Sequence, residues 1–121
     1  MNYLIVAAHP DDEVLGAGAT IHKLTKFGHN VYICIMSSGA CARINRPSDI
    51  DLNGDMNTCV TLLGARKVYA GEFPNIEMNT IPHLKLVQYI EKAIINSNVD
   101  IVITHHPSDT NNDHLQTSLS C

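Results

Sequence analysis

Tyr3-Leu4-Ile5-Val6-Ala7-Ala8 runs without a break into His9-Pro10-Asp11-Asp12-Glu13, and the fold turns on how that junction is read. So short an apolar run leaves no room for a helix to start and stop, so it reads as a buried strand. The three acids that follow suit the first turn of a helix, where carboxylates meet the positive end of the backbone dipole. Val14, Ile21, Leu24 and Phe27 then recur at helical spacing, and Gly28 is the expected stop.

The alternation continues outward from there. Val31 to Met36 is a second buried strand, ended by Ser37-Ser38-Gly39. From about Asp49, Met56, Cys59, Val60 and Leu63 mark a helix face, closed by Gly64. Val68-Tyr69-Ala70 is a weaker third strand, and a loop through Gly71, Pro74 and Asn75 leads to a helix start at Thr80 and Pro82. Leu84, Val87, Ile90, Ile94 and Ile95 carry that helix to Asn96-Ser97-Asn98, and Val99 to Thr104 is the fourth strand. Buried strands alternating with helices predict an α/β fold of three layers. A parallel sheet in the order 3-2-1-4 carries helices on both faces, joined by right-handed crossovers.

Composition narrows the class. With 121 residues, 45% hydrophobic and 17% charged, the chain has room for one domain with a real core. Disorder, collagen-like repetition and coiled coil are excluded. A formal charge of −4 supplies no basic patch, so neither nucleic acid nor an anionic membrane is an expected partner. No apolar run approaches the length of a membrane span, and the opening residues lack the basic leader of a signal peptide. Cys34, Cys41, Cys59 and Cys121 form no CxxC pair, which suggests reduced thiols and a cytoplasmic location. Asp113 to Cys121 reads as a helix with no partner to pack on: either the sheet closes with four strands, or the chain is the front of something longer. An unfinished sheet edge would invite association into a homo-oligomer.

In doubly wound sheets, ligands sit beyond the carboxyl ends of the strands where the strand order reverses, here between the first and fourth strands. The first strand ends in His9-Pro10-Asp11-Asp12-Glu13. The fourth ends in His105-His106-Pro107-Ser108-Asp109, with Asn111, Asp113 and His114 close behind. Two His/Asp clusters from opposite ends of the chain are thus expected at one crevice. Such a set suits metal-assisted hydrolysis. His9 and Asp12, three apart on a turn, can point at one centre, and His114 can supply a third ligand for Zn²⁺. Asp11 stays free to take a proton from water. Two imidazoles and a carboxylate also suit iron(II) or another divalent ion.

Ala8-His9-Pro10-Asp11-Asp12-Glu13 after an N-terminal strand, with Asp113-His114 downstream, resembles the PIG-L (LmbE-like) family of zinc-dependent N-deacetylases. Phe73-Pro74-Asn75, Thr80-Ile81-Pro82 and Val87-Gln88-Tyr89-Ile90-Glu91 resemble the middle of that family. The resemblance implies a Rossmann-like fold and removal of acetyl groups from N-acetylglucosamine-type, small-molecule amino-sugar conjugates. It implies zinc on His9, Asp12 and His114, Asp11 as general base, and Asp113 as the residue orienting a neighbouring side chain. Many members carry a histidine three residues before the last ligand, to stabilise the oxyanion and protonate the leaving amine. Asn111 stands there instead and offers only a hydrogen bond; His105 or His106 could compensate. The resemblance spans residues 1–121 as a single domain, yet only the front part of a usual member, which implies truncation at the C-terminus. The aglycone stays open.

Each residue also has a plainer reading. The acids after the first strand can simply cap a helix, and His22, His29 and His83 suit surface positions. Gly16-Ala17-Gly18 is expected to serve close helix-to-sheet packing, since no third glycine completes a dinucleotide fingerprint. Arg43 and Arg46 could reach an acidic substrate but more often such residues are solvated. Two other functions compete with an active hydrolase. A degenerate deacetylase would bind metal and sugar without turnover. A receiver-type phospho-acceptor domain would need an aspartate at the end of the third strand, where Val68-Tyr69-Ala70-Gly71-Glu72 has none.

Overall fold

The computed structural model describes residues 1–39 and 51–121. In chain order these form β1 (Asn2–Ala7), α1 (Asp12–Lys26), β2 (Asn30–Ile35), α2 (Leu52–Leu63), β3 (Lys67–Ala70), a 3-10 turn (Met78–Thr80), α3 (His83–Ser97), β4 (Ile101–Ile103) and α4 (Asn112–Ser120). The sheet is wholly parallel in the order β3-β2-β1-β4, as the alternation of apolar runs and amphipathic stretches predicts. Cys41, Arg43 and Arg46 lie outside the described residues.

Side chains alternate across the pleat, and this is what makes three layers. Leu4 and Val6 of β1 join Cys34 and Met36 on one face, covered by Met78 and by Leu86, Ile90 and Ala93 of α3. Ile5 and Ala7 join Val31, Ile33 and Ile35 on the other, covered by Ile21 of α1 and Met56 of α2. The central strands are buried on both sides, which explains their unbroken hydrophobicity.

Helix orientation departs from the expected stripes. Phe27 is the C-cap of α1 and 72% exposed, and Val14 turns towards a cavity rather than the sheet. Gly18 and Ile21 are the buried positions near the middle of α1. A β-carbon on Gly18 would meet Leu63 of α2 at 3.9 Å, whereas one on Gly16 would meet nothing. A side chain would fit at either position, at ordinary contact distance for Gly18 and in open space for Gly16, so the pair does not serve close helix-to-sheet packing. In α3, Leu84 and Ile95 are exposed, and the buried stripe is Leu86, Ile90, Ala93 and Ser97. Ser97, at the end of that stripe, also bonds Tyr69, with the two hydroxyl oxygens 2.7 Å apart. Gly64 closes α2 with φ 76°, as expected, and Asn98 closes α3 with φ 47°. Among the described residues no helix is long and apolar enough to cross a membrane.

The fourth strand is shorter than Val99 to Thr104, and its shortening opens the site. Only Tyr3–Ile5 pair with Ile101–Ile103. Beyond that, side chains replace the ladder: Thr104 Oγ1 donates to the Val6 carbonyl at 3.0 Å, and Ala8 N–H donates to His105 Nε2 at 2.9 Å. The backbone of β1 stays satisfied while the two chains part at the strand-order reversal.

Candidate active site

A cavity of about 760 Å³ occupies that crevice, large for a small-molecule site. His9, Asp11, Asp12, Asn111 and His114 line it together with the apolar Val14, Leu52, Met56, Cys59 and Ile76. The turn after β1 brings His9 and Asp12 together, with His9 N–H donating to Asp12 Oδ2 at 3.0 Å. The first turn of α4 brings His114 to the same oxygen. His9 Nδ1 lies 3.3 Å and His114 Nε2 3.1 Å from Asp12 Oδ2. The three residues offer ligand atoms all within 4.8 Å of one another.

Each imidazole is also held from behind. His9 Nε2 lies 2.9 Å from Asp113 Oδ2, and His114 Nδ1 lies 3.0 Å from Asp109 Oδ2. The result is a continuous run, Asp113–His9–Asp12–His114–Asp109. Asp113 is fully buried and also accepts from Ile76 N–H at 2.5 Å and Met78 N–H at 3.1 Å. One carboxylate thus anchors both a site histidine and the loop entering the 3-10 turn.

The electrostatics follow from these contacts. The bond to Asp12 raises the His9 pKa above its ordinary value, with burial opposing and Asp113 assisting. Burial pushes Asp12 up, but the bonds from the His9 ring and backbone outweigh it, and the carboxyl ends below its ordinary range. Burial lowers His105, and the adjacent His114 lowers it further. His105 Nε2 accepts the Ala8 N–H, so a neutral His105 carries its proton on Nδ1. Its 3.7 Å approach to Asp12 Oδ2 therefore joins two acceptors and is no ion pair.

Asp11 and Ile76, both on the cavity wall, have positive φ of 121° and 63°. Non-glycine residues rarely hold such backbone, and it concentrates where function demands a fixed geometry. Asp11 occupies the N-cap position of α1 but makes no capping bond. Glu13 does the local work instead, accepting from Asp11 N–H at 3.1 Å, with its carboxyl pushed up by burial. Helix capping therefore does not account for Asp11.

Asn111 lines the cavity, and it is also the N-cap of α4: its Oδ1 accepts from Asp113 N–H at 2.9 Å and His114 N–H at 3.3 Å. Only its amide N–H groups remain for a substrate. His106, by contrast, faces solvent, its Nδ1 accepting from Ser108 N–H at 3.1 Å, because the 106–109 turn directs it outward. His105 is the histidine that reaches the site. Cys34, Cys59 and Cys121 are free thiols, and burial pushes Cys34 up to about 12.

Comparisons with known proteins give the family and the fold. Residues 4–120 match the PIG-L family, described as GlcNAc-PI de-N-acetylase. An uncharacterized deacetylase, YaiS, of Escherichia coli K12 is 29% identical over 120 residues, covering 93% of this chain and 61% of its own length. The N,N'-diacetylchitobiose deacetylase of Pyrococcus horikoshii superposes with a TM-score of 0.83 at 23% identity, over 98% of this chain and 47% of the other. The zinc-inhibited form of teicoplanin deacetylase Orf2 superposes with a TM-score of 0.80 at 16% identity, over 99% and 61%. At these identities the superpositions establish the fold. The chain spans about half to three-fifths of the length of these relatives.

Proposed function

The chain belongs to the PIG-L family, and from that premise we propose that it is a divalent-metal-dependent N-deacetylase acting on an amino-sugar conjugate, with zinc as the preferred metal. The observation that carries the reading is the meeting of His9 Nδ1, Asp12 Oδ2 and His114 Nε2 in one cavity, with Asp11 on its wall. The donor set fits a metal: two imidazoles and one carboxylate, with the far nitrogen of each imidazole already against a second carboxylate. The His9 and His114 rings are tilted by 47°, which lets their in-plane lone pairs converge. His9, Asp12 and His114 would hold the ion.

When bound, a divalent ion supplies Lewis acidity, easing deprotonation of water and polarising an amide carbonyl. The protein's own groups supply the rest. Asp11, whose carboxylate is not committed to capping, takes the proton from the attacking water and returns it to the departing amine. Asn111 directs an amide N–H at the developing oxyanion while its Oδ1 stays bonded to the α4 backbone. Asp113 keeps His9 in place. A soluble, cytoplasmic setting and a small-molecule partner suit this reading, and the apolar share of the cavity wall would border the aglycone.

Acetate release from N-acetylglucosaminides tests the proposal. Asp11→Asn should keep its metal and lose turnover by roughly two to four orders of magnitude. Asp12→Asn should lose the metal. Equal metal content and equal activity in both variants would sink the assignment. The structure's use of Asn111 as a cap favours one second reading, a binder without turnover: metal uptake with no acetate release from the native chain would establish it.

A further inference from the structure

We infer that Asp109 is a positioning residue for the metal centre. It holds the His114 ring with its proton on Nδ1 and turns the bare Nε2 towards Asp12 and the ion. The inference rests on the metal-centre reading above and adds a residue that reading does not use.

A neutral imidazole has one N–H and one lone pair, and a carboxylate can only accept. His114 lies between two carboxylates, Asp109 Oδ2 at 3.0 Å from Nδ1 and Asp12 Oδ2 at 3.1 Å from Nε2; an ion held by Nε2 and Asp12 would leave the ring proton on Nδ1, where Asp109 accepts it. The carboxylate is itself fixed. Its other oxygen accepts Asn111 N–H at 2.9 Å, and Asp109 N–H donates to the His106 carbonyl at 3.0 Å. The His105 ring stacks on His114 with centroids 3.9 Å apart and planes within 14°. The stack resists tipping of the His114 ring, and Asp109 resists its rotation. The arrangement repeats on the other side of the centre, where Asp113 backs His9 at 2.9 Å.

A different role for Asp109 can be weighed on the same geometry. His105, Asp109 and His114 also place ligand atoms within 4.8 Å of one another, as a second metal site would need. The rings of His105 and His114 are nearly parallel, however, so their in-plane lone pairs run side by side rather than meeting. His105 Nε2 is also taken by Ala8 N–H. What remains for Asp109 is to serve His114.

The test compares zinc affinity of the native chain and Asp109→Asn by competition with a chromophoric chelator, alongside the melting temperature of each metal-free protein. Asparagine keeps an oxygen for the Asn111 N–H but removes the charge behind His114. A purely structural Asp109 would show in Asp109→Asn as a lowered metal-free melting temperature with zinc affinity native. The positioning role predicts a roughly 10- to 100-fold loss of zinc affinity with the metal-free melting temperature unchanged. An independent measurement uses the zinc-loaded native protein alone: nitrogen-15 NMR should place the His114 proton on Nδ1, protected from exchange. Undiminished affinity in Asp109→Asn would overturn the inference while leaving the metal centre standing, and a proton on Nε2 would overturn it together with His114 Nε2 as a ligand. A native chain that takes up no zinc would overturn both.

Discussion

Replacing Asp113 probes how far one buried carboxylate organises the site. Three donors converge on it, and the side chain is fully buried: Met78 N–H on Oδ1, and Ile76 N–H with the His9 ring on Oδ2. Alanine would strand two backbone N–H groups and the back of His9. An unpaired buried donor costs about 1–3 kcal/mol, so the three together should remove roughly 3–9 kcal/mol of stability. That is a large share of the roughly 5–15 kcal/mol available to a domain. Asparagine is milder. Its oxygen can stay where Oδ2 accepts two donors, with the amide facing Met78 N–H, so a single bond is lost at about 1–3 kcal/mol. Urea unfolding of the metal-free proteins measures both changes, and chelator competition measures zinc. Asp113→Asn should also bind zinc about 10- to 100-fold more weakly, because a neutral amide backs His9 less well than a carboxylate. If Asp113→Ala loses less than about 1 kcal/mol, the carboxylate is not the anchor described here.

Two further outcomes follow from the same contacts. His9 is raised above its ordinary 6.5, so its contribution to the metal-free fold is complete below that pH and fades as pH rises through the raised value. Asp12 is lowered from 3.8, so its contribution is present above that value and is lost only as pH falls through the lowered one. Zinc needs the proton off His9, so melting curves with zinc and with a chelator should diverge as pH climbs above 6.5; parallel curves would contradict the coupling. At position 111, Asn111→His removes the cap of α4 and should destabilise the protein by about 1 kcal/mol. If Asp11 carries the proton, turnover should change by no more than about tenfold. An inert native chain that gains acetate release from Asn111→His would instead identify a degenerate binder.

The sequence by itself determined the parts that depend on local periodicity. Unbroken apolar runs at Tyr3–Ala8 and Val31–Met36 can only be strands covered on both faces. With helices between them, parallel pairing follows; the order 3-2-1-4, expected here for a doubly wound sheet, is the one the structure adopts, and it places the His9 and His114 ends of the chain at one crevice. The AHPDDE run and the later Asp113-His114 were visible for the same reason: the chemistry is written in residue types at the ends of legible elements.

Only the tertiary structure decided the pairings and the directions. Helical spacing leaves neighbouring stripes nearly equivalent, so Leu84 and Leu86 cannot be ranked until α3 is laid on the sheet, which buries Leu86 and leaves Leu84 in solvent. His105 and His106 are adjacent and alike in sequence, yet the parting of β4 from β1 turns one to the Ala8 N–H and the other to water. Asp109 was legible as a member of the second His/Asp cluster but its role was not, since its partner is a ring nitrogen set by the entry angle of α4. The positive φ of Asp11 and Ile76 was equally hidden, because it is uncommon for any residue but glycine and rarest for a β-branched one. Ile76 is pinned by Asp113 from the far end of the chain, a bond between residues 37 apart. Hydrophobic pattern is additive along the chain and so can be read one segment at a time. Hydrogen-bond partnership depends on directions that exist only once the segments have packed.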